Sequence, residues 1–147
     1  MRLGSGPSVS APPAVRAALL ALFGAGAAQA LDATRVVEHS LYARLHARAI
    51  ATTRRRRIYL RGAAADFFAD PALMLHEYCH VLRQWEPGAL TIVRYALEWL
   101  RRGYWDNRFE VEAREFAEDH LLEFRALLSR GGGWEVRGPA LRARRRT

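Results

Sequence analysis

His76, Glu77 and His80 are the residues of this chain whose types and spacing can do chemistry. They stand in the run His76-Glu77-Tyr78-Cys79-His80, an H-E-x-x-H pattern. Two histidines four apart on a helix lie one turn above each other on the same face. Their imidazole nitrogens can converge on one Zn2+, which in a reactive site takes three protein ligands and a water. Glu77 is turned off the His76–His80 line, so it is expected to reach the metal's water rather than the metal. The metal acidifies that water; the carboxylate takes its proton and can pass it to a leaving amine. The pattern therefore points to Glu77 as general base and to hydrolysis of a peptide bond.

The surrounding residues support a helix. Asp70 suits the N-cap and Pro71 the first helical position. Apolar Leu73, Met74 and Leu75 follow, and the helix should run to about Gln84, stopped by Pro87-Gly88. The competing reading is an ordinary amphipathic helix with two hydrogen-bonded histidines. A polar His-Glu-His cluster on a largely apolar helix needs a partner, however, and a metal supplies one. Two roles are open to Cys79: thiolate ligand, or small buried hydrophobe. Its place between the histidines favours the second. His39 and His46 have no ligand spacing to the motif and read as surface or cap residues.

Two histidines alone would hold zinc weakly, so a third ligand should lie downstream. The segment Asn107-Arg108-Phe109-Glu110-Val111-Glu112-Ala113 offers it. Glu110 follows the apolar Phe109 at the edge of a buried helix face, and thirty residues separate it from His80. That is enough for one helix out and one back. Glu112, Glu115 and Glu118 read as a solvated acidic face.

Taken together, HEYCH followed by NRFEVEAREFA resembles the glutamate-ligand zincins, the gluzincins. It is similar in particular to the E-x-x-x-D helix of the prenyl-protein and heat-shock membrane endopeptidases, whose first glutamate binds zinc; that role falls on Glu110. The stretch from ARAIATT through RIYL to LHEYCHVLRQW also resembles a small bacterial domain of unknown function found with contractile injection systems. The resemblance spans roughly residues 35–120 and implies a zincin-like fold. It departs at Arg114, which stands where those peptidases carry an aspartate that orients a zinc-binding histidine. An arginine cannot accept an imidazole N–H, so that support must come from elsewhere, a backbone carbonyl or another carboxylate. The membrane helices of the prenyl-protein peptidases are missing too, so lipidated substrates are not implied. No motif identifies a transition-state donor; Tyr104 is the first candidate, with Tyr95 and His120 as rivals.

The elements that must position these residues are legible from pattern. Residues 1–13, rich in Gly, Ser and Pro, read as a disordered lead, and residues 14–23 as a short helix. Arg35 to His39 reads as a strand, and Leu41 to His46 as a helical turn. Ala49 to Thr53 and Arg57 to Leu60 read as a hairpin around a basic turn. Gly62 to Ala69 is expected to be a loop. After the motif helix, a helix from about Ala89 to Arg102 places Leu90, Val93, Leu97 and Leu100 on one face, with Gly103 as its stop. The last helix starts near Asp106 or Asn107 and repeats Phe109, Ala113, Phe116, His120, Phe124 and Leu127 at helical spacing. Residues 131–147 read as an Arg-rich flexible tail. Strands first and helices after give an α+β, zincin-like domain over residues 14–130: a small sheet with a hairpin, the active-site helix and two further helices.

Composition narrows the function classes. The net charge is +8, and all 23 basic residues are arginine. That bias, with abundant alanine and glycine, looks like a GC-rich coding background and is weak support for nucleic-acid binding. Such binding stays open as an alternative through Arg54 to Arg57 and the run Arg142 to Arg146. The single cysteine excludes an internal disulfide and agrees with a reducing compartment. Residues 17–31, AALLALFGAGAAQAL, are too short to span a bilayer. Ala28-Gln29-Ala30 resembles a signal-peptidase site, so a secreted or periplasmic location competes with the favoured cytoplasmic one. The leading expectation is a zinc endopeptidase whose peptide substrate adds a strand along the hairpin edge. A zinc-binding structural domain without turnover is the remaining class.

Overall fold

The structure, a computed structural model, describes residues 6–45 and 51–131. His46, the expected hairpin start at Ala49 and Ile50, and the tail from residue 132 lie outside them. The chain is α+β. A four-stranded sheet of order β1-β2-β4-β3 packs with seven α-helices among the described residues. The strands are β1 (Ser8–Val9), β2 (Arg35–Val37), β3 (Ala51–Arg54) and β4 (Arg57–Leu60). Strands β3 and β4 form an antiparallel hairpin, β4 runs parallel to β2, and β1 closes the far edge antiparallel to β2. This leaves β3 as the edge nearest the site.

Strand β1 corrects the expectation of a wholly disordered lead. Glycine and proline in residues 6–13 signal irregular backbone, but here they serve a close approach. A Cβ on Gly6 would lie 2.3 Å from the Glu38 carbonyl oxygen. The Pro7 carbonyl accepts from the Glu38 N–H at 3.1 Å. The apolar run after it splits into α1 (Pro13–Phe23), a single 3-10 turn, and α2 (Ala28–Ala33). Val15, Leu19 and Leu31 of these helices are buried in the main core. Helix α3 (Leu41–Leu45) follows β2, whose end comes at Val37 rather than His39, since His39 takes a left-handed φ of 47° in the turn.

The stretch expected to be a loop before the motif contains a helix, α4 (Ala64–Phe68). Its pattern is too short to show a period, yet Phe67 and Phe68 are both buried and stack edge-on at 5.2 Å. The motif helix is α5 (Pro71–Cys79), started as the sequence indicates: the Asp70 carboxylate accepts from the Leu73 N–H at 3.0 Å. From His80 to Trp85 the helix widens into a π turn, marked by the Glu86 N–H reaching the Val81 carbonyl five residues back. A uniform helix to Gln84 was expected; hydrophobic period alone does not register one wide turn.

Helix α6 (Ile92–Arg102) and helix α7 (Arg108–Arg130) complete the chain. Asn107 caps α7 through the Phe109 N–H at 3.0 Å, and Phe109, Ala113, Phe116 and Phe124 are buried as their spacing predicts. α7 lies along α5 as that helix's principal neighbour. The face assigned to α6 is corrected as well. Leu90 is buried, but Val93, Leu97 and Leu100 are exposed, and the buried residue of the helix is Glu98.

Candidate metal centre

Helix α5 presents His76 and His80 on one face, and α7 brings its first turn against them. His76 Nε2 and Glu110 Oε2 lie 3.0 Å apart, His80 Nε2 and His76 Nε2 3.1 Å, and His80 Nε2 and Glu110 Oε2 3.4 Å. Among the described residues these three form the group of side chains able to hold a metal ion. Glu110 sits in the first turn of α7, where unpaired N–H groups and the helix dipole favour a carboxylate.

Whether the donor set fits zinc can be decided from the hydrogen bonds behind it. The Phe109 carbonyl can only accept, so the Gln84 amide turns its NH2 toward it, at 2.9 Å. The amide oxygen of Gln84 then faces His80 Nδ1 at 2.6 Å and must accept a proton from it. His80 therefore keeps Nδ1–H and aims the lone pair of Nε2 at His76 and Glu110. Tyr95 works the same way on the third donor: its O–H donates to Glu110 Oε1 at 2.9 Å, leaving Oε2 for the centre. Electron-rich atoms thus converge on one point, and only a cation or a shared proton can stand between them. A tetrahedral zinc with bonds of about 2.0–2.1 Å holds its ligand atoms about 3.3 Å apart. Separations of 3.0–3.4 Å fit that group.

The same pairing governs the titration of the cluster. Burial alone would lower the His80 imidazole, but the hydrogen bond to Glu110 and its charge outweigh burial and lift it to about 9. Burial pushes the Glu110 carboxyl upward, and the two histidines overcome that and hold it well below the usual carboxylate range. Without a metal, that raised His80 value favours a proton between these donors.

Gln84 and Tyr95 supply the support that Arg114 does not. Arg114 lies with its guanidinium 4.1 Å from the Trp105 ring centroid and donates to the Trp105 carbonyl, so it is engaged away from the histidines. The expected source was a backbone carbonyl or a second carboxylate; the structure puts an amide and a phenol there. Gln84 carried a signal, since it is four residues past His80, but only the wide turn shows which way it faces.

Glu77 is buried and hydrogen-bonded, with Thr53 of β3 donating to its Oε2 at 2.6 Å. Glu77 and the edge strand are thereby tied together, a link that sequence spacing of twenty-four residues does not reveal. Glu77, the two histidines and Glu110 line one cavity of about 580 Å³. Thr52 and Arg54 of the hairpin form one wall, and Trp85, Ile92 and Trp99 supply an apolar one. Tyr104 also lines it, its phenol pushed up to about 12 by burial and then by the charges of Glu110 and Glu77, so the O–H stays protonated. Tyr95 is committed to Glu110. His120 bonds the Phe116 carbonyl through Nδ1 and lines a separate groove with Leu22 and Phe23.

The other sequence candidates fall elsewhere. Cys79 is fully buried, its thiol pushed up to about 12 by burial, and it is not in the donor cluster. The His39 backbone bonds Gly62 in a turn. Glu112, Glu115 and Glu118 are exposed. Within Arg54 to Arg57, Arg56 is paired with Glu86, pinning the hairpin tip to the end of the π turn. Comparison with protein-family models, curated proteins and solved structures finds no match to this chain.

Proposed function

We propose that this chain is a zinc-dependent endopeptidase of the HExxH class. The convergence of His76 Nε2, His80 Nε2 and Glu110 Oε2 within 3.0–3.4 Å carries the reading. Bound there, Zn2+ would acidify a water and polarise a peptide carbonyl. Glu77 would serve as the proton acceptor: Thr53 fixes one of its oxygens, leaving the other to take a proton and pass it to the leaving amine. Tyr104, which lines the cavity and stays protonated, would donate to the oxygen on which charge develops. An extended peptide would pair with the edge of β3 that the described strands leave open, its side chains alternating between the apolar wall and solvent. The cavity of about 580 Å³ favours turnover over a closed structural zinc site, in which four protein ligands leave no room for substrate.

The test is Glu77→Gln, which keeps size and hydrogen bonding but removes the base. Zinc content and folding should be unchanged, while fragments from an unstructured protein, read by mass spectrometry, fall at least about a hundredfold. Equal cleavage by both forms indicates a contaminating protease. No cleavage by the parent across a broad peptide library, with zinc bound, returns the site to the structural class.

A further inference from the structure

Helix α6 has a surface that the metal site does not use. Its side chains sort into four stripes at helical spacing. Tyr95 and Glu98 face the domain. Ile92, Ala96 and Trp99 line the cavity. Val93, Leu97 and Leu100 turn outward, with Val93 68% and Leu100 73% exposed. Arg94 and Arg101 border that outer stripe. Trp105, in the turn after the helix, is 68% exposed. Leaving so much aliphatic and tryptophan surface in water is unfavourable without an occupant.

The charges identify the occupant. The one acidic residue of α6, Glu98, is tucked inward at 9% exposure and faces Arg102 and Arg108 at 3.7 and 3.9 Å. The helix's exposed charges are therefore all arginine. A second copy of this chain would bring one cationic rim against another. A surface of fixed negative charge over an apolar interior satisfies both stripes at once. Amphipathic helices with arginine on one face and tryptophan and leucine on the other lie in the plane of a lipid interface. No described helix is long and apolar enough to cross a membrane, so such contact would be peripheral.

The geometry points to α6 and the turn at Trp105 as a docking face for an anionic lipid bilayer. Val93, Leu97, Leu100 and Trp105 enter the headgroup boundary and Arg101 meets lipid phosphates, while Arg94, whose Nη1 donates to the Gly88 and Ala89 carbonyls at 3.0 and 2.9 Å, adds its charge to the same rim. The cavity stripe adjoins the docking stripe, so the mouth of the site opens beside the lipid surface. The surface does not require turnover at the metal centre.

The experiment is co-sedimentation of the full chain with vesicles of equimolar phosphatidylglycerol and phosphatidylcholine, and with phosphatidylcholine alone. The parent should bind the anionic vesicles, less at high salt, and bind the neutral ones weakly. Val93→Glu with Leu100→Glu should weaken binding at least about tenfold, since two side chains no longer enter the interface. Arg101→Gln should weaken it about fivefold. Both changes lie on exposed positions, and an unchanged thermal melt verifies the fold. No binding to anionic vesicles overturns the proposal, as does equal binding to both vesicle types. Binding kept by the double glutamate variant but lost when Arg142, Arg144, Arg145 and Arg146 become glutamine would assign it to the tail instead. A dimer, seen by light scattering and broken by the double variant, would assign the stripe to a second copy.

Discussion

Replacing Gln84 with leucine tests the centre without touching a metal donor. Gln84 is fully buried and bridges His80 Nδ1 at 2.6 Å to the Phe109 carbonyl at 2.9 Å. Leucine nearly fills the same volume but leaves the buried His80 Nδ1–H without a partner, while the Phe109 carbonyl, inside α7, keeps its helical N–H donor. That unpaired donor costs about 1–3 kcal/mol, so metal-free Gln84→Leu should be about 1–3 kcal/mol less stable to denaturant. The ring of His80 is also freed to turn, and its Nδ1 to lose the proton that keeps Nε2 a ligand. Loss of such support typically weakens metal binding about 10–100-fold. Zinc affinity is read by competition with a fluorescent chelator, and stability by urea titration of metal-free protein. Gln84→Glu separates the two bonds, because it keeps an acceptor for His80 and removes the donor to Phe109. It should retain most zinc affinity while losing stability. If Gln84→Leu binds zinc as tightly as the parent, the argument assigning the His80 tautomer is wrong.

Two further outcomes follow from the same geometry. Glu110→Ala should lower zinc affinity strongly while the exposed Glu112→Ala changes little, as metal analysis after dialysis will register; the reverse result would place the wrong carboxylate at the centre. Zinc must displace the proton held by His80, lifted to about 9, so calorimetry in buffers of different ionisation enthalpy near pH 7.5 should show about one proton released per zinc. Because the folded value of His80 is raised, the metal-free protein keeps this stabilisation below about pH 6.5 and loses it as pH rises through about 9, whereas zinc affinity strengthens over that window. Proton release that is absent throughout would mean the centre is already neutral.

The parts of this molecule that sequence reveals are those governed by local rules. Asp70 and Pro71 announce the start of α5, the β-branched and aromatic residues of the hairpin announce its strands, and the spacing from Phe109 to Phe124 sets the register of α7 and turns Glu110 inward. The α+β class follows from that order of elements. Where neighbours distant in sequence decide, the pattern fails. Strand β1 exists because Gly6 can pass within reach of Glu38. Helix α4 is five residues long and held by two buried phenylalanines. The outer stripe of α6 has the spacing of a core face, and periodicity records only that its residues share a side, not what lies on that side. The bonds of Gln84 to Phe109, Tyr95 to Glu110 and Thr53 to Glu77 cross gaps that no motif spans.

The π turn at His80 gives the motif helix two phases. In a regular α-helix a residue five positions on is turned about 140° away from the first. Where the bonds skip five residues, it returns to the same side. Trp85 consequently stands beside His80 on the cavity wall instead of facing the core. The wide turn behaves as a single inserted residue, and the helix before and after it obeys separate wheels. Removing one residue between Val81 and Arg83 would mend the α-helical bonding and improve the helix as a helix. The same deletion would rotate Gln84 and Trp85 out of place, unlinking His80 from Phe109 and stripping an aromatic wall from the cavity. Regularity and competence are opposed at this point of the chain, and a stabilising redesign guided by helix propensity alone would select the form that cannot assemble the centre.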